Sequence, residues 1–412
     1  MELEPDQADL PVETPRQLVG RSSLRRVHVI IGGVLLLAAL ATGYALNEWR
    51  VSTGHDRFEK ACLQARREGD WDYMRQTAEE WLRWSPGRAQ AMWFAAESAQ
   101  QQDRHDDLIE ILDGIPRTDP NIAFGLAEKA GLQWSELNKP LQALQTSLEV
   151  LAIEPRHVDS HSRVISFYAM TLQRVRMLEA IRAAIRAGAE PREAYCYLIM
   201  SDALSFTNGA ELNQRWLRGA PDDDRFKIAL AVTTAMDLAA SRESSPTEEV
   251  LELNREANLQ LEGFLETWPG DPILLTFLMH QAYRNEQVQK MEKLLGQVTE
   301  TLAQDHMVWV YKAWYHTMVD ELEEAEEAII RAIRIHPLSQ LAHQEYAKIL
   351  RAMQRPEVER EQQIAAYGRE LRSEIMRQPS AADLSLPLLV KIMSYADSCG
   401  DTEVAAALAA RL

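Results

Sequence analysis

The sequence predicts an all-α protein: a right-handed α-solenoid of stacked antiparallel helix pairs, preceded by one N-terminal transmembrane helix. Three observations support this prediction. Helix-ending prolines recur at nearly constant spacing, apolar residues follow one another at three- and four-residue intervals, and one stretch of 20 residues near the N-terminus carries no charge. No segment alternates apolar and polar residues as a half-buried strand does.

Two distant segments show the repeat. "ALQTSLEVLAIEP" (143–155) and "AEEAIIRAIRIHP" (325–337) both begin with Ala and end at Ile-x-Pro. Proline cannot continue a helix, so it marks a helix end. Such prolines lie 34, 35 and 36 residues apart at Pro86, Pro120, Pro155 and Pro191, and a gap of 68 residues separates Pro269 from Pro337. A fixed period of this length indicates stacked helix pairs, each burying its apolar face against its neighbours.

Within each period the chain resembles the tetratricopeptide repeat family, whose pattern is W-x2-L-G-x2-Y, then A-x3-F, then P. The residues that match are Trp309, Gly131, an aromatic Trp134 at the Tyr position, and Ala143 and Ala325 in second helices; Ala96, Ala313 and Ala347 stand at the Gly position. Ser147 and Ile329 replace the family's Phe, and no unit carries every signature residue. The resemblance covers residues 55–205 and 272–373.

The repeats divide the chain into segments. We expect repeats of this kind over 55–221 and 272–380, and a last helix pair over 381–412 with a turn at Gly400-Asp401. Residues 222–271 are predicted to form an irregular helical pair in the same stack, with a hinge between two arrays as the alternative. Residues 1–26 are predicted to be a disordered cytoplasmic tail, since prolines and acidic residues dominate its first half.

The uncharged stretch is "VHVIIGGVLLLAALATGYAL" (27–46), and about 20 helical residues cross the hydrocarbon core of a bilayer. Arg21, Arg25 and Arg26 precede it, which favours a cytoplasmic N-terminus. We therefore expect a single-pass protein of the bacterial inner membrane, with its repeats on the periplasmic side. A signal peptide cleaved after Ala39-Leu40-Ala41 is the alternative.

Charge and motifs argue against several functions. A net charge of −18 repels nucleic acid. The three cysteines are remote from one another, and no phosphate-binding, dinucleotide-binding, zinc-protease or nucleophile-elbow motif occurs. His157 and His161 are four residues apart without a nearby third ligand, and the carboxylates of 320–327 are typical of a helix N-terminus. No enzyme activity, metal or cofactor is predicted.

The resemblance implies a scaffold or adaptor that binds peptides or proteins in a concave groove lined by first helices, in envelope assembly, secretion or biogenesis. The repeat register places these candidates on the groove: Trp93, Glu97, Tyr168, Val310, Trp314, Thr317 and Gln344. Aromatic residues among them would anchor a partner or pack between repeats. The alternatives are a structural homo-oligomer held by the apolar final helix, "VAAALAARL" (404–412), and an enzyme with a site in the groove.

Overall fold

The structure, a computed structural model, describes residues 21–204, 208–244 and 247–412; of residues 21–32 and 243 it describes the backbone alone. The first 20 residues of the predicted tail lie outside this part of the chain. Every regular element within the described ranges is helical, as the sequence predicts. The chain divides into two compact units, Met1–Ile115 and Pro116–Leu412.

The described part of the first unit contains four helices: α1 (Arg21–Glu68), α2 (Trp71–Trp84), α3 (Ala89–Gln101) and α4 (His105–Gly114). The sequence predicted a membrane span and a separate first repeat helix, whereas α1 runs through both as 48 continuous residues. No proline occurs between residues 17 and 85, so nothing forces a break. Among the described residues, no helix combines the length and apolar character that a membrane crossing requires. The side chains of residues 27–32, the first part of the predicted span, are outside the described set.

An aromatic cluster holds the first three helices together. Trp81 is fully buried, and its indole N–H donates a hydrogen bond to Nδ1 of His55 at 2.8 Å. The ring of Phe58 stacks on Trp81 with centroids 5.9 Å apart, and Phe94 lies 6.3 Å from it on α3. Such pairs contribute about 0.5–1.5 kcal/mol each beyond burial. The C-terminal part of α1, from His55 onward, is therefore part of the core of the first repeat.

The second unit holds the remaining helices. In chain order they are α5 (Ile122–Ser135), α6 (Pro140–Ile153), α7 (Val158–Met170), α8 (Arg174–Ala187), α9 (Arg192–Met200), α10 (Gly209–Gly219), α11 (Asp224–Ser244), α12 (Glu248–Thr267), α13 (Pro272–Arg284), α14 (Val288–Leu295), a 3-10 turn (Leu302–Gln304), α15 (His306–Met318), α16 (Leu322–Ile335), α17 (Gln340–Ala352), α18 (Val358–Ile375), α19 (Leu386–Cys399) and α20 (Thr402–Arg411).

The turn inside each helix pair repeats as regularly as the prolines. Residues with positive φ close these turns, and most are not glycine: Gly69, Asp103, Asn138 and Leu172 in one run, and Glu286, Asp320 and Gln354 in another. Their spacing is 34 or 35 residues throughout. One left-handed residue reverses the chain between antiparallel helices, so the same tight turn is built in each repeat. The backbone thus keeps the period even where the side chains of the family pattern are missing.

Helix α9 lies inside the second unit. Seven consecutive residues, 194–200, are buried, so no face of this helix meets solvent over that stretch. The C-terminal helices pack onto its surroundings: Arg182 of α8 forms an ion pair with Asp401, and Arg411 donates to the backbone oxygen of Glu190 at 2.6 Å. Helix α18 contacts α9 directly. Helix α9 is therefore enclosed by other helices of the second unit.

Candidate functional site

The two predicted groove residues of the first unit lie on α3. Glu97 forms an ion pair with Arg66 of α1, whose guanidinium also lies 5.2 Å from the ring centre of Phe94. Trp93 is half-buried. The carboxylate of Glu97 thus joins α3 to α1, and that contact must be broken or shared before Glu97 binds a partner.

The α15 residues differ from the prediction. Val310 is fully buried and Trp314 is 6 % exposed, and both belong to the core shared by α13, α15 and their neighbours. The Trp314 ring meets Tyr283 edge-on at 5.6 Å. These two side chains fill the space between helices, so they offer no surface to a partner. The reason is that α15 is covered by adjacent helices on the side where the repeat register expects an open groove.

Two other predicted residues remain partly accessible. The hydroxyl of Thr317 donates to the backbone oxygen of Ala313 at 2.9 Å, inside its own helix. The side-chain oxygen of Gln344 accepts from Gln340 and Arg369, both at 3.2 Å. Both side chains are half-buried. Neither lies with Tyr168 in a common pocket among those found in the described residues.

Tyr168 is the predicted residue that lines an open groove. The groove has a volume of about 570 Å³ and runs between α6 and α8, with α7 as its floor. Leu148 and Leu151 of α6 form one wall, and Leu148 is 44 % exposed. The guanidinium of Arg176 lies 5.9 Å from the ring centre of Tyr168 at one end.

The opposite wall of this groove is made of small side chains. Ala180, Ala183 and Ala187 follow one another along α8, and Ala152 adds a small side chain on the α6 wall. Short side chains allow the backbone of a second helix to approach closely, and the leucines supply apolar contact area. The groove therefore fits an amphipathic helix or a short apolar segment, with Arg176 and Glu179 available to polar groups beside it.

A buried polar centre surrounds the end of α9. Asp202 is 4 % exposed; its carboxylate accepts from Nε2 of His306 at 3.0 Å and from the backbone N–H of Leu341 at 3.0 Å. Arg372 approaches it to 3.6 Å. Burial alone would raise the pKa of this carboxyl group, but the hydrogen bond and electrostatic attraction from His306, the charge of Arg372 and the Leu341 N–H together hold the pKa well below its usual range. Asp202 is therefore ionised and ties α15, α17 and α18 to the end of α9.

Further contacts complete this centre. Arg174 pairs with Asp305 at 2.6 Å and donates through Nε to the backbone oxygen of Ser201 at 2.7 Å. The Ser201 hydroxyl lies 2.9 Å from Nε2 of His336. Burial lowers the pKa of His336 well below its usual value, so this imidazole is neutral at pH 7. The side chains of Arg174, Asp305, Ser201 and His336 are all buried, and each already has a hydrogen-bond or ion-pair partner within the chain.

The sequence pattern did not reveal this centre. Asp202 and Ser201 end the apolar run "AYCYLIM", where a serine and an aspartate usually mark a loop entering solvent. Arg174 and Asp305 are 131 residues apart in the chain. No local period relates them, because their pairing arises only when distant repeats meet. The one available signal was that residues 194–200 of α9 are apolar without interruption, which is typical of a helix that is buried on every side.

His157 and His161, the two histidines that lie four residues apart, form hydrogen bonds at the N-terminal end of α7. Nδ1 of His157 accepts from the backbone N–H of Ser160 at 3.2 Å and caps α7. Nε2 of His161 donates to the backbone oxygen of Pro155 at 2.9 Å. Across the described residues, no group of three or more His, Cys, Asp or Glu side chains has the arrangement that holds a metal ion.

The N-terminal part of α1, from Val34 to Trp49, exposes a continuous apolar surface. Its large apolar side chains are 60–68 % exposed: Val34, Leu35, Leu36, Leu37, Leu40, Tyr44, Leu46 and Trp49. Four of them are consecutive, so they point to every side of the helix. A helix that is apolar all round is normally buried in protein or lipid.

Comparisons with known proteins give a likeness in architecture alone. No protein-family model matches the sequence, and no curated protein matches it significantly. Among solved structures, a tetratricopeptide repeat protein from Parabacteroides merdae is 12% identical with a TM-score of 0.30, over 64% of this chain and 98% of that one. Yeast Tom70 is 11% identical with a TM-score of 0.27, over 84% and 88%. The Cut9–Hcn1 hetero-tetramer is 13% identical with a TM-score of 0.30, over 85% and 77%. At these values, partners and roles do not carry over.

Proposed function

We propose that the chain is a non-enzymatic, membrane-tethered helical-repeat protein that binds other proteins as a scaffold or adaptor. The observation that carries the binding role is the groove around Tyr168, which is open, mostly apolar and bordered by small side chains. Its occupant is an amphipathic helix or apolar segment of a partner protein. The resemblance to tetratricopeptide repeats supports the same role, and assembly or secretion in the bacterial envelope is the setting we propose.

Site-specific photo-crosslinking tests the binding role. A photoreactive residue at Leu148 in the full chain should give a discrete adduct in native membranes, and one at the exposed Leu253 of α12 should not. The substitution Ala183→Glu places a charge on the groove wall at an exposed helical position, so it should abolish the Leu148 adduct without unfolding the protein. Ala406→Glu, at an exposed position of α20, is the matched control. An adduct that survives Ala183→Glu would contradict binding in this groove.

The tether is proposed from the exposed apolar surface of α1. When lipid surrounds these side chains, their apolar surface is removed from water. Each Å² removed stabilises the membrane-bound state by roughly 25 cal/mol. Alkaline extraction should leave the chain in the membrane pellet, and Leu36→Arg with Leu40→Arg should release it, since each arginine at the centre of a span costs about 2.5–3.5 kcal/mol. A protease acting from the periplasmic side should digest the repeats and spare the N-terminus. Wild-type protein found wholly in the soluble fraction would refute the tether.

The structural homo-oligomer is the weaker alternative. Helix α20 buries Val404 and Leu408 inside the second unit, and Arg411 bonds to Glu190 there. These apolar residues are therefore already in use within one chain. The observations favour an adaptor over an oligomer built through this helix.

A further inference from the structure

The turn that joins α2 to α3 presents positive charge and an indole ring to solvent. Its sequence is "RWSPGR" (83–88), with two arginines and no acidic residue. Trp84 is 41 % exposed, and the side chains of Arg83 and Arg88 are exposed as well. In the described part of the first unit, ion pairs form at other arginines and at neither of these two. The turn is therefore a basic, partly aromatic surface on a chain whose net charge is −18.

Contacts with α1 fix the position of this turn. A Cβ at Gly54 would collide with the ring of Trp84, so the glycine allows the indole to lie directly on the helix backbone. The Trp84 ring also meets His55 edge-on, with centroids 4.9 Å apart, and lies 5.8 Å from the ring of Phe58. Burial, and then the positive charge of Arg88, lower the pKa of His55, so this arginine lies close to α1 as well. The turn is thus held at the level of residues 54–58.

The same helix connects this level to the exposed apolar surface. That surface runs from Val34 to Trp49 and ends five residues before Gly54. At 1.5 Å per residue, the two levels are about 8 Å apart along the helix axis. Helix α2 runs antiparallel to α1, so its C-terminal end, where the turn begins, points back towards the apolar surface.

Charge on the neighbouring part of α1 is balanced. Between residues 47 and 57, Glu48 and Asp56 offset Arg50 and Arg57. The two arginines of the turn therefore set the sign of the charge next to the apolar surface. Electrostatic attraction between arginine and an anionic bilayer extends over about one Debye length, roughly 8 Å at physiological salt. The separation between the turn and the end of the apolar surface matches that range.

We propose that the turn 83–88 docks on the headgroups of an anionic phospholipid bilayer, next to the point where α1 enters the lipid. This inference rests on the proposed tether, which places the apolar surface of α1 inside the bilayer. Tryptophan favours the membrane–water boundary, where its ring has an apolar setting and its N–H stays hydrated. Guanidinium groups bind phosphate oxygens through paired hydrogen bonds. With α1 in the lipid and the turn on the headgroups, two contacts fix the orientation of the first unit to the membrane.

Photo-crosslinking of the full chain in lipid vesicles tests this contact. A photoreactive residue at Pro86, an exposed position inside the turn, should form a lipid adduct in vesicles of phosphatidylcholine and phosphatidylglycerol. In vesicles of phosphatidylcholine alone the adduct yield should fall by about fivefold or more, because the anionic headgroups are missing. A photoreactive residue at the exposed Glu68, which lies about 21 Å beyond Gly54 along α1, should form no lipid adduct.

Arginine variants identify the source of the attraction. Arg83→Gln combined with Arg88→Gln should lower the Pro86 adduct yield by about fivefold or more, since each arginine near an anionic surface raises affinity by about fivefold. Both side chains are exposed, so the fold should be retained. Arg67→Gln combined with Arg104→Gln removes the same charge at the opposite end of these helices and should leave the yield unchanged. Equal yields in the two double variants would overturn the proposal.

A third position reports the tether separately. A photoreactive residue at Leu40, within the apolar surface of α1, should form a lipid adduct in both kinds of vesicle. An adduct at Leu40 without one at Pro86 would overturn the docking and leave the tether intact, and so would equal Pro86 yields in the two kinds of vesicle. The absence of adducts at both positions would refute the tether, and the docking with it.

Discussion

Replacing Asp202 by Asn is a direct test of the buried polar centre. The change keeps the size of the side chain and removes its negative charge. An amide has one acceptor oxygen, whereas the carboxylate accepts from both His306 and the Leu341 N–H. One of those contacts must therefore face an NH2 group, and Arg372 loses the charge that lies 3.6 Å away.

The expected cost follows from these contacts. Hydrogen bonds to charged groups are worth about 1.5–3 kcal/mol each, and breaking a buried ion pair costs about 3–5 kcal/mol. Since Asn preserves one of the bonds, we expect a loss of about 3 kcal/mol. That is a large share of the roughly 5–15 kcal/mol that holds a domain folded.

Hydrogen exchange in α9 measures this loss where it should occur. A destabilisation of about 3 kcal/mol corresponds to roughly hundredfold faster exchange of its amides, because each 1.4 kcal/mol is a factor of ten. Asp237→Asn, at an exposed position of α11, is the control and should change stability by less than about 0.5 kcal/mol. If α9 exchanges at the same rate in Asp202→Asn and in the control, the centre does not hold the repeats together.

Three further perturbations have defined outcomes. A Cβ added at Gly368 of α18 would lie 2.6 Å from the buried hydroxyl of Tyr395, so Gly368→Ala should lower the urea concentration at the unfolding midpoint. At Gly263 an added Cβ would have nothing within 4 Å, so Gly263→Ala should raise the free energy of unfolding by up to about 1 kcal/mol. Equal shifts of the two variants in urea titrations would refute the packing argument. Burial lowers the pKa of His280 from 6.5 in the unfolded chain to about 4 in the folded one. Between pH 6.5 and 4 the unfolded state therefore binds one more proton, and the free energy of unfolding should fall as the pH drops through this range. His280→Gln should flatten this dependence in unfolding titrations followed by tryptophan fluorescence, and an unchanged dependence would contradict the role of His280. Deleting residues 401–412 removes the buried side chains of Val404 and Leu408, whose burial stabilises the fold by about 1.5–3 kcal/mol each. The deletion should therefore speed amide hydrogen exchange in α8. If exchange is unchanged and sedimentation shows that an oligomer is lost, the result supports the homo-oligomer instead.

The helical repeats were predictable because their causes are local. Prolines and turn residues act within a few positions, and the apolar period of a helix is visible in any window of about a dozen residues. The turn predicted at Gly400-Asp401 is confirmed, since Gly400 has a positive φ in the structure. Candidate surface residues were less predictable. Tyr168 lines an open groove, but Trp314 is buried against Tyr283 on a neighbouring helix.

By itself, the sequence determined that this protein is helical, where its helices turn, and that one N-terminal stretch is apolar without charge, because these properties depend on neighbouring residues. Only the tertiary structure decided that α9 is enclosed and that Asp202 and Arg174 are buried among partners more than a hundred residues away. Each helix pair buries an apolar face against whichever neighbour the stacking brings to it. The position of a repeat in the stack, which local sequence does not encode, therefore decides whether the same residue type becomes core or surface.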